Sequence, residues 1–297
     1  MGNFIAENYI LILVLTGVSL LGASAGLIGC FAVLRRRSLT GDALAHAALP
    51  GLCLAFLFLG ERNLPAMLFG ALMAGLLGVS VISAIRRHTR IKEDAAIGIV
   101  LSVFFGLGVV LKRVIQRVPG GSKAGLDSYI FGQSSGMSSA DLYWIVGLTL
   151  LTLLAVVILY KEFQLVAFDS DFARAQGWPT VVLDLMLMGL IALAVVVGLP
   201  TVGVLMIASL LIVPAASARF WTERLANMLW LSAMFGVLSG ILGTIMSSTF
   251  DLPTGPAIIL TSSTLFLGSL ILGSHRVRAE HVLKYHYKSR SASRYTF

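Results

Sequence analysis

Charge is what this chain has least of. Asp, Glu, Lys and Arg together make up 12% of its 297 residues, about half the share usual in soluble domains. Hydrophobic residues reach 57%, and the mean hydropathy is +0.91. A soluble fold of this length has too little interior to hide that much apolar surface, which leaves lipid as the solvent. Cysteine is scarce as well. Cys30 and Cys53 are the only two, both lie in apolar runs, and they read as small packing residues rather than a disulfide or a metal site. No Gly-x-x-x-x-Gly-Lys-Ser/Thr motif is present, so the chain is not expected to hydrolyse ATP itself. Neither a His-Glu-x-x-His pair nor a Gly-x-Ser-x-Gly elbow occurs, and no enzyme constellation is evident. A cleavable secretory signal is not evident either: the first apolar segment, from about Tyr9 to Leu34, is too long for a signal core and ends in Arg35-Arg36-Arg37.

What is present is a series of long uncharged runs. A spanning helix needs about 20 mostly apolar residues. Candidates fall near 9–34, 40–59, 65–85, 94–111, 139–160, 180–199, 202–219, 225–248 and 255–273. Breaks are expected at Glu61–Leu64, Leu199-Pro200-Thr201 and Asp251–Gly255. The segments on either side of Pro200 are two short helices or one broken one, so the expected fold is an all-α polytopic membrane protein of eight to nine transmembrane helices. The net charge of +8 belongs to topology rather than to nucleic acid. With the N-terminus outside and nine crossings, 17 of the 22 Lys and Arg fall in inner loops or the tail. Residues 1–275 read as one membrane domain and 276–297 as a basic cytoplasmic tail; His275, His281 and His286, in the basic stretch from Ser274 to Phe297, are more consistent with a solvated segment than with a metal tract. The outer loop Val114–Ser139, with Tyr129-Ile130-Phe131-Gly132 in it, reads equally as re-entrant or as an ordinary exposed loop.

The sharpest local feature is Asp42-Ala43-Leu44-Ala45-His46. Four residues apart, Asp42 and His46 share one face of a helix. Ionisable groups inside a span are costly and usually face a pathway or the bundle interior. A carboxylate with an imidazole suits borderline divalent ions such as Mn²⁺, Fe²⁺ or Zn²⁺; the alternative is a helix cap beside a core histidine. Pro50 frees the carbonyl of His46 from its helical partner. The small residues Gly41, Ala43, Ala45, Ala47 and Ala48 permit close helix approach. Glu93 and Asp94 read as helix caps. Asp184 reads as a packing residue, with a gate as the alternative, and Asp251 as an ordinary turn residue. Between two spans, Asp169 or Ser170 can cap a short helix that Gly177 ends and Pro179 follows.

Together these stretches resemble a known family. The run Leu34–Ala47 looks like the signature of the permeases of metal ABC importers, the manganese/zinc/iron group. Phe168–Gly177, Val202–Leu205 through Pro214-Ala215-Ala216, and Asp251–Pro256 match the same pattern in order, and Gly125–Gln133 is similar. The resemblance implies a type II ABC importer-like fold and a multi-pass subunit of the bacterial cytoplasmic membrane with its C-terminus inside. It implies a transporter subunit that pairs with itself or a paralogue, with cytoplasmic ATPase subunits and with an extracytoplasmic metal-binding protein. It carries the metal path onto Asp42 and His46, and coupling to the ATPase onto Asp169, Asp171, Ala173 and Gly177. Asp251 and Pro253 would lie in an outer loop facing the binding protein. No permanent cofactor is implied; the cargo is a divalent metal, manganese favoured over zinc and iron. The alternatives are a permease for a metal chelate or corrinoid, and a secondary transporter driven by an ion gradient.

Overall fold

In the computed structural model, residues 9–35, 37, 39–60, 63–117, 132 and 137–292 are described, with backbone alone at Leu64, Leu205 and 274–292. Eleven helices and no strand occur among them. They are α1 Tyr9–Leu34, α2 Leu39–Leu59, α3 Leu64–His88, α4 Glu93–Arg117, α5 Ser139–Ile158, α6 Tyr160–Phe168, α7 Ser170–Ala175, α8 Thr180–Val202, α9 Val204–Arg219, α10 Leu225–Phe250 and α11 Thr254–Ala292. Eight are long and apolar enough to cross a membrane: α1 to α5, α8, α10 and the Thr254–Gly273 part of α11. The ninth apolar helix, α9, has 16 residues.

In lipid there is little hydrophobic drive between helices, so close van der Waals contact and interhelical hydrogen bonds must hold the bundle. Small residues supply that contact. Gly22 and Gly236 touch backbone to backbone where α1 crosses α10. One turn along, a Cβ on Gly26 would lie 2.7 Å from the Ser232 carbonyl oxygen, and the Ser232 hydroxyl donates to the Gly26 carbonyl at 2.8 Å. Gly51 of α2 and Gly70 of α3 meet in the same way. Cys30 and Cys53 are buried free thiols, as their apolar surroundings imply.

The packing divides into two groups. The first joins α1 to α5, α9 and α10, with α11 against α9 and α10; the second joins α2 to α3 and α4. Helices α8 and α9 span both: α8 touches α1, α2 and α3, and α9 also packs on α2.

Two boundaries differ from expectation. Helix α8 runs through Pro200 to Val202, and the break falls at Gly203, whose φ of 90° is open to glycine. Pro200 lies in the last turn, where the Thr201 hydroxyl donates to the Gly198 carbonyl at 3.0 Å and the Gly203 N–H to the Leu199 carbonyl at 3.1 Å. The chain then folds back, so that Gly198 lies against Ile207. Helix α4 continues past 111 to Arg117, taking Val114–Arg117 out of the expected outer loop. Buried Ile115 anchors this extension. Of the rest of that loop, Gly132 packs on the Val202–Gly203 turn and Met137 is buried against Gly17. Tyr129-Ile130-Phe131 lies outside the described residues. At the other end, α11 runs without a break through the boundary expected at 275.

Candidate functional site

Helix α2 starts at Leu39 and carries Asp42 in its first turn. Helical spacing places His46 one turn on, and its Nε2 lies 3.5 Å from Asp42 Oδ1. The two side chains differ in access. Asp42 retains 36% of its side-chain exposure, whereas His46 retains 10%. The His46 ring packs edge-on to Phe105 of α4, with centroids 4.8 Å apart, and its Nδ1 is buried with no hydrogen-bond partner. A buried polar nitrogen without a partner costs free energy, and a cation or water is one way to relieve it. Ala43, Ala45, Ala47 and Ala48 are buried, which lets the neighbouring helices close in around the pair.

Pro50 lies within α2, as expected. Helix α4 backs this point closely. A Cβ on Gly108 would lie 2.8 Å from Leu49 and 3.3 Å from the Pro50 ring. Phe105, which sequence reasoning missed, is therefore on the face of α4 that supports both the imidazole and the proline. Among the described residues no third His, Cys, Asp or Glu joins Asp42 and His46 in a metal-holding group.

A second polar cluster lies beside the start of α2. Asp184 Oδ1 accepts from Arg35 and, at 2.6 Å, from Arg37 Nη1. Arg37 Nε pairs with Glu93 at 2.7 Å, and Arg86 reaches Glu93 at 3.2 Å and Asp184 at 3.9 Å. Burial lowers the Arg35 pKa from its ordinary value, and the charge of Asp184 opposes that shift. A small cavity opens here, with Thr40, Ser83 and Leu185 in its wall. Glu93, expected as a cap, and Asp184, expected first as a packing residue, thus belong to one ion-pair network. Sequence reasoning missed this network; the signal that could have found it is Asp184 itself, since a carboxylate within a span requires a partner.

The short helix α7 forms as its residues imply. The Asp169 carboxylate accepts from the Phe172 N–H at 2.9 Å, and Gly177 takes a positive φ of 85° just after the helix. Asp169, Asp171 and Gly177 are exposed. Ala173 is fully buried against the bundle. The exposed apolar groups here are Phe168, Phe172 and Trp178, which sequence reasoning passed over. Asp251 and Pro253 sit exposed in the turn between α10 and α11. Asp251 holds a left-handed φ of 53°, with the Ser247 hydroxyl donating to the Leu252 carbonyl at 2.6 Å.

The chain is 47% identical over 272 residues to the manganese transport system membrane protein MntC of Bacillus subtilis, a match that covers 91% of this chain. It spans only 62% of that longer relative. It is 42% identical to the zinc transport system membrane protein TroC of Treponema pallidum, covering 91% of both chains. Among solved structures, PsaBC from Streptococcus pneumoniae in complex with Fab superimposes with a TM-score of 0.79 at 33% identity, covering 91% of this chain and 95% of the other. The profile of the ABC 3 transport family matches residues 7–273, and it is to this family that the chain belongs.

Proposed function

We propose that the chain is the membrane-spanning subunit of an ATP-driven importer for a divalent transition metal, manganese first, with zinc or iron as alternatives. The observation that carries this reading is the Asp42/His46 pair: one accessible carboxylate, and one buried imidazole with an unpartnered nitrogen. The family membership and the manganese and zinc named in its relatives support it. The chain would act as a dimer of identical or paralogous copies, whose two-fold axis brings two such pairs together. Few protein ligands would hold the ion firmly enough to enter and loosely enough to leave. Cytoplasmic ATPase subunits would dock on α7 through Asp169, Asp171 and the exposed aromatics around them. A metal-binding protein would dock outside near Asp251 and Pro253. The positive-inside pattern supports an external N-terminus and a cytoplasmic C-terminus.

The test is uptake of radiolabelled Mn²⁺ and Zn²⁺ in cells expressing the chain with its ATPase and binding-protein partners. Uptake that needs ATP and both Asp42 and His46 is the expected result. Uptake that persists without the ATPase would point instead to a gradient-driven carrier. Preference for a chelated metal, indifferent to both residues, would point to a chelate permease.

A further inference from the structure

The ion-pair network has a placement that the metal pair does not explain. Asp184 lies in the second turn of α8, the helix that follows α7 through Gly177, Trp178 and Pro179. Its carboxylate binds Arg35 and Arg37, which stand in the link between α1 and α2. Arg37 in turn is held to the start of α2, because the Thr40 hydroxyl donates to its carbonyl. Asp42 follows two residues later. One part-buried carboxylate therefore connects the helix downstream of α7 to the helix that carries the metal pair. Glu93 and Arg86 extend the same network to the adjoining ends of α4 and α3.

Charge gives this connection a second property. Three guanidinium groups face two carboxylates, so the assembled cluster stays positive. A divalent cation moving from Asp42 toward that end of α2 would meet like charge at short range in partly buried surroundings, where screening is weak. If the network parts, Asp184 and Glu93 lose their arginine partners and become attractive to the same ion.

We infer that Asp184 is a positioning residue of the transport cycle: paired with Arg35 and Arg37 it closes the route beside Asp42, and through α8 it passes movement of α7 to α2. This inference rests on the importer reading above and adds the residue that links energy input to the site. Burial fits the role. The side chains of Arg35, Arg37 and Asp184 retain 11%, 10% and 16% of their exposure, so breaking their contacts without new partners is costly. Such a junction favours two discrete arrangements over gradual loosening.

The experiment uses the whole complex in proteoliposomes, with manganese uptake and ATP hydrolysis measured on the same preparations. Asp184→Asn keeps the shape and removes the charge. It should lower uptake by about tenfold or more while hydrolysis stays within about twofold of wild type. Asp184→Glu should restore most of the uptake. Parallel loss of uptake and hydrolysis in Asp184→Asn, or uptake at the wild-type level, overturns the inference. A second variant leaves the cluster intact. Ser83→Cys with Leu185→Cys places thiols on α3 and α8 across the cavity, and the native cysteines are buried. Bridging the pair with a bifunctional thiol reagent should stop uptake, and a cleaving reductant should return it; uptake unaffected by the bridge also overturns the inference. Absence of ATP-dependent uptake in wild type is a different failure, since it removes the importer reading itself.

Discussion

At the scale of single residues, the chain places its few polar groups where their loss should be felt. Asp42→Ala and His46→Ala should each reduce metal uptake by about tenfold or more, with the complex still assembled on size-exclusion chromatography. Phe105→Ala should do less. It removes an edge-on ring contact worth about 0.5–1.5 kcal/mol beyond its buried area, so a several-fold rise in the metal concentration for half-maximal uptake is expected. Asp42 and His46 were legible in sequence because a helix period of 3.6 fixes which residues share a face. Phe105 was not, since nothing local announces which ring from α4 will meet an imidazole on α2. Asp184 lies between these cases: its cost in a span was visible, while its arginine partners, some 150 positions away in the chain, were not.

Between helices, the decisive contacts are those with no side chain in them. Gly22 against Gly236 leaves no room for a Cβ, so Gly236→Leu must push α1 and α10 apart. Overpacking of this kind costs about 1–3 kcal/mol or more, and a lower unfolding temperature in detergent is the measurement that checks it. The spans themselves were readable from hydropathy, because length and apolar content suffice to identify a helix for lipid. Their ends were less so. Pro200 is the residue that breaks helices in isolation, yet the break falls at Gly203, where the chain needs a positive φ to reverse. Arg117 likewise lies well past the apolar stretch, because buried Ile115 keeps the last turns of α4 packed.

For the molecule as a whole, two packed groups of helices joined by α8 and α9 suggest where motion is absorbed. The backbones of α1 and α10, and of α2 and α3, touch with no room for a Cβ, so rearrangement is expected between the groups rather than within them. Phe172→Ala, at an exposed ring of α7, should weaken ATPase association and lower uptake without altering metal binding by the permease itself; co-purification against a radiolabel binding assay separates the two. If two copies share one site, the purified dimer should bind about one ion per two chains, which native mass spectrometry can count. Helix α9 carries a further consequence. Its 16 residues rise about 24 Å, short of the roughly 30 Å of a bilayer core. It is mostly buried among α1, α2, α10 and α11. Such a segment is a poor insertion signal on its own. During biogenesis it should enter the membrane with α8 as a single hairpin turning at Gly203, so a reporter fused just after α9 should register its crossing when α8 is present and lose it when α8 is deleted.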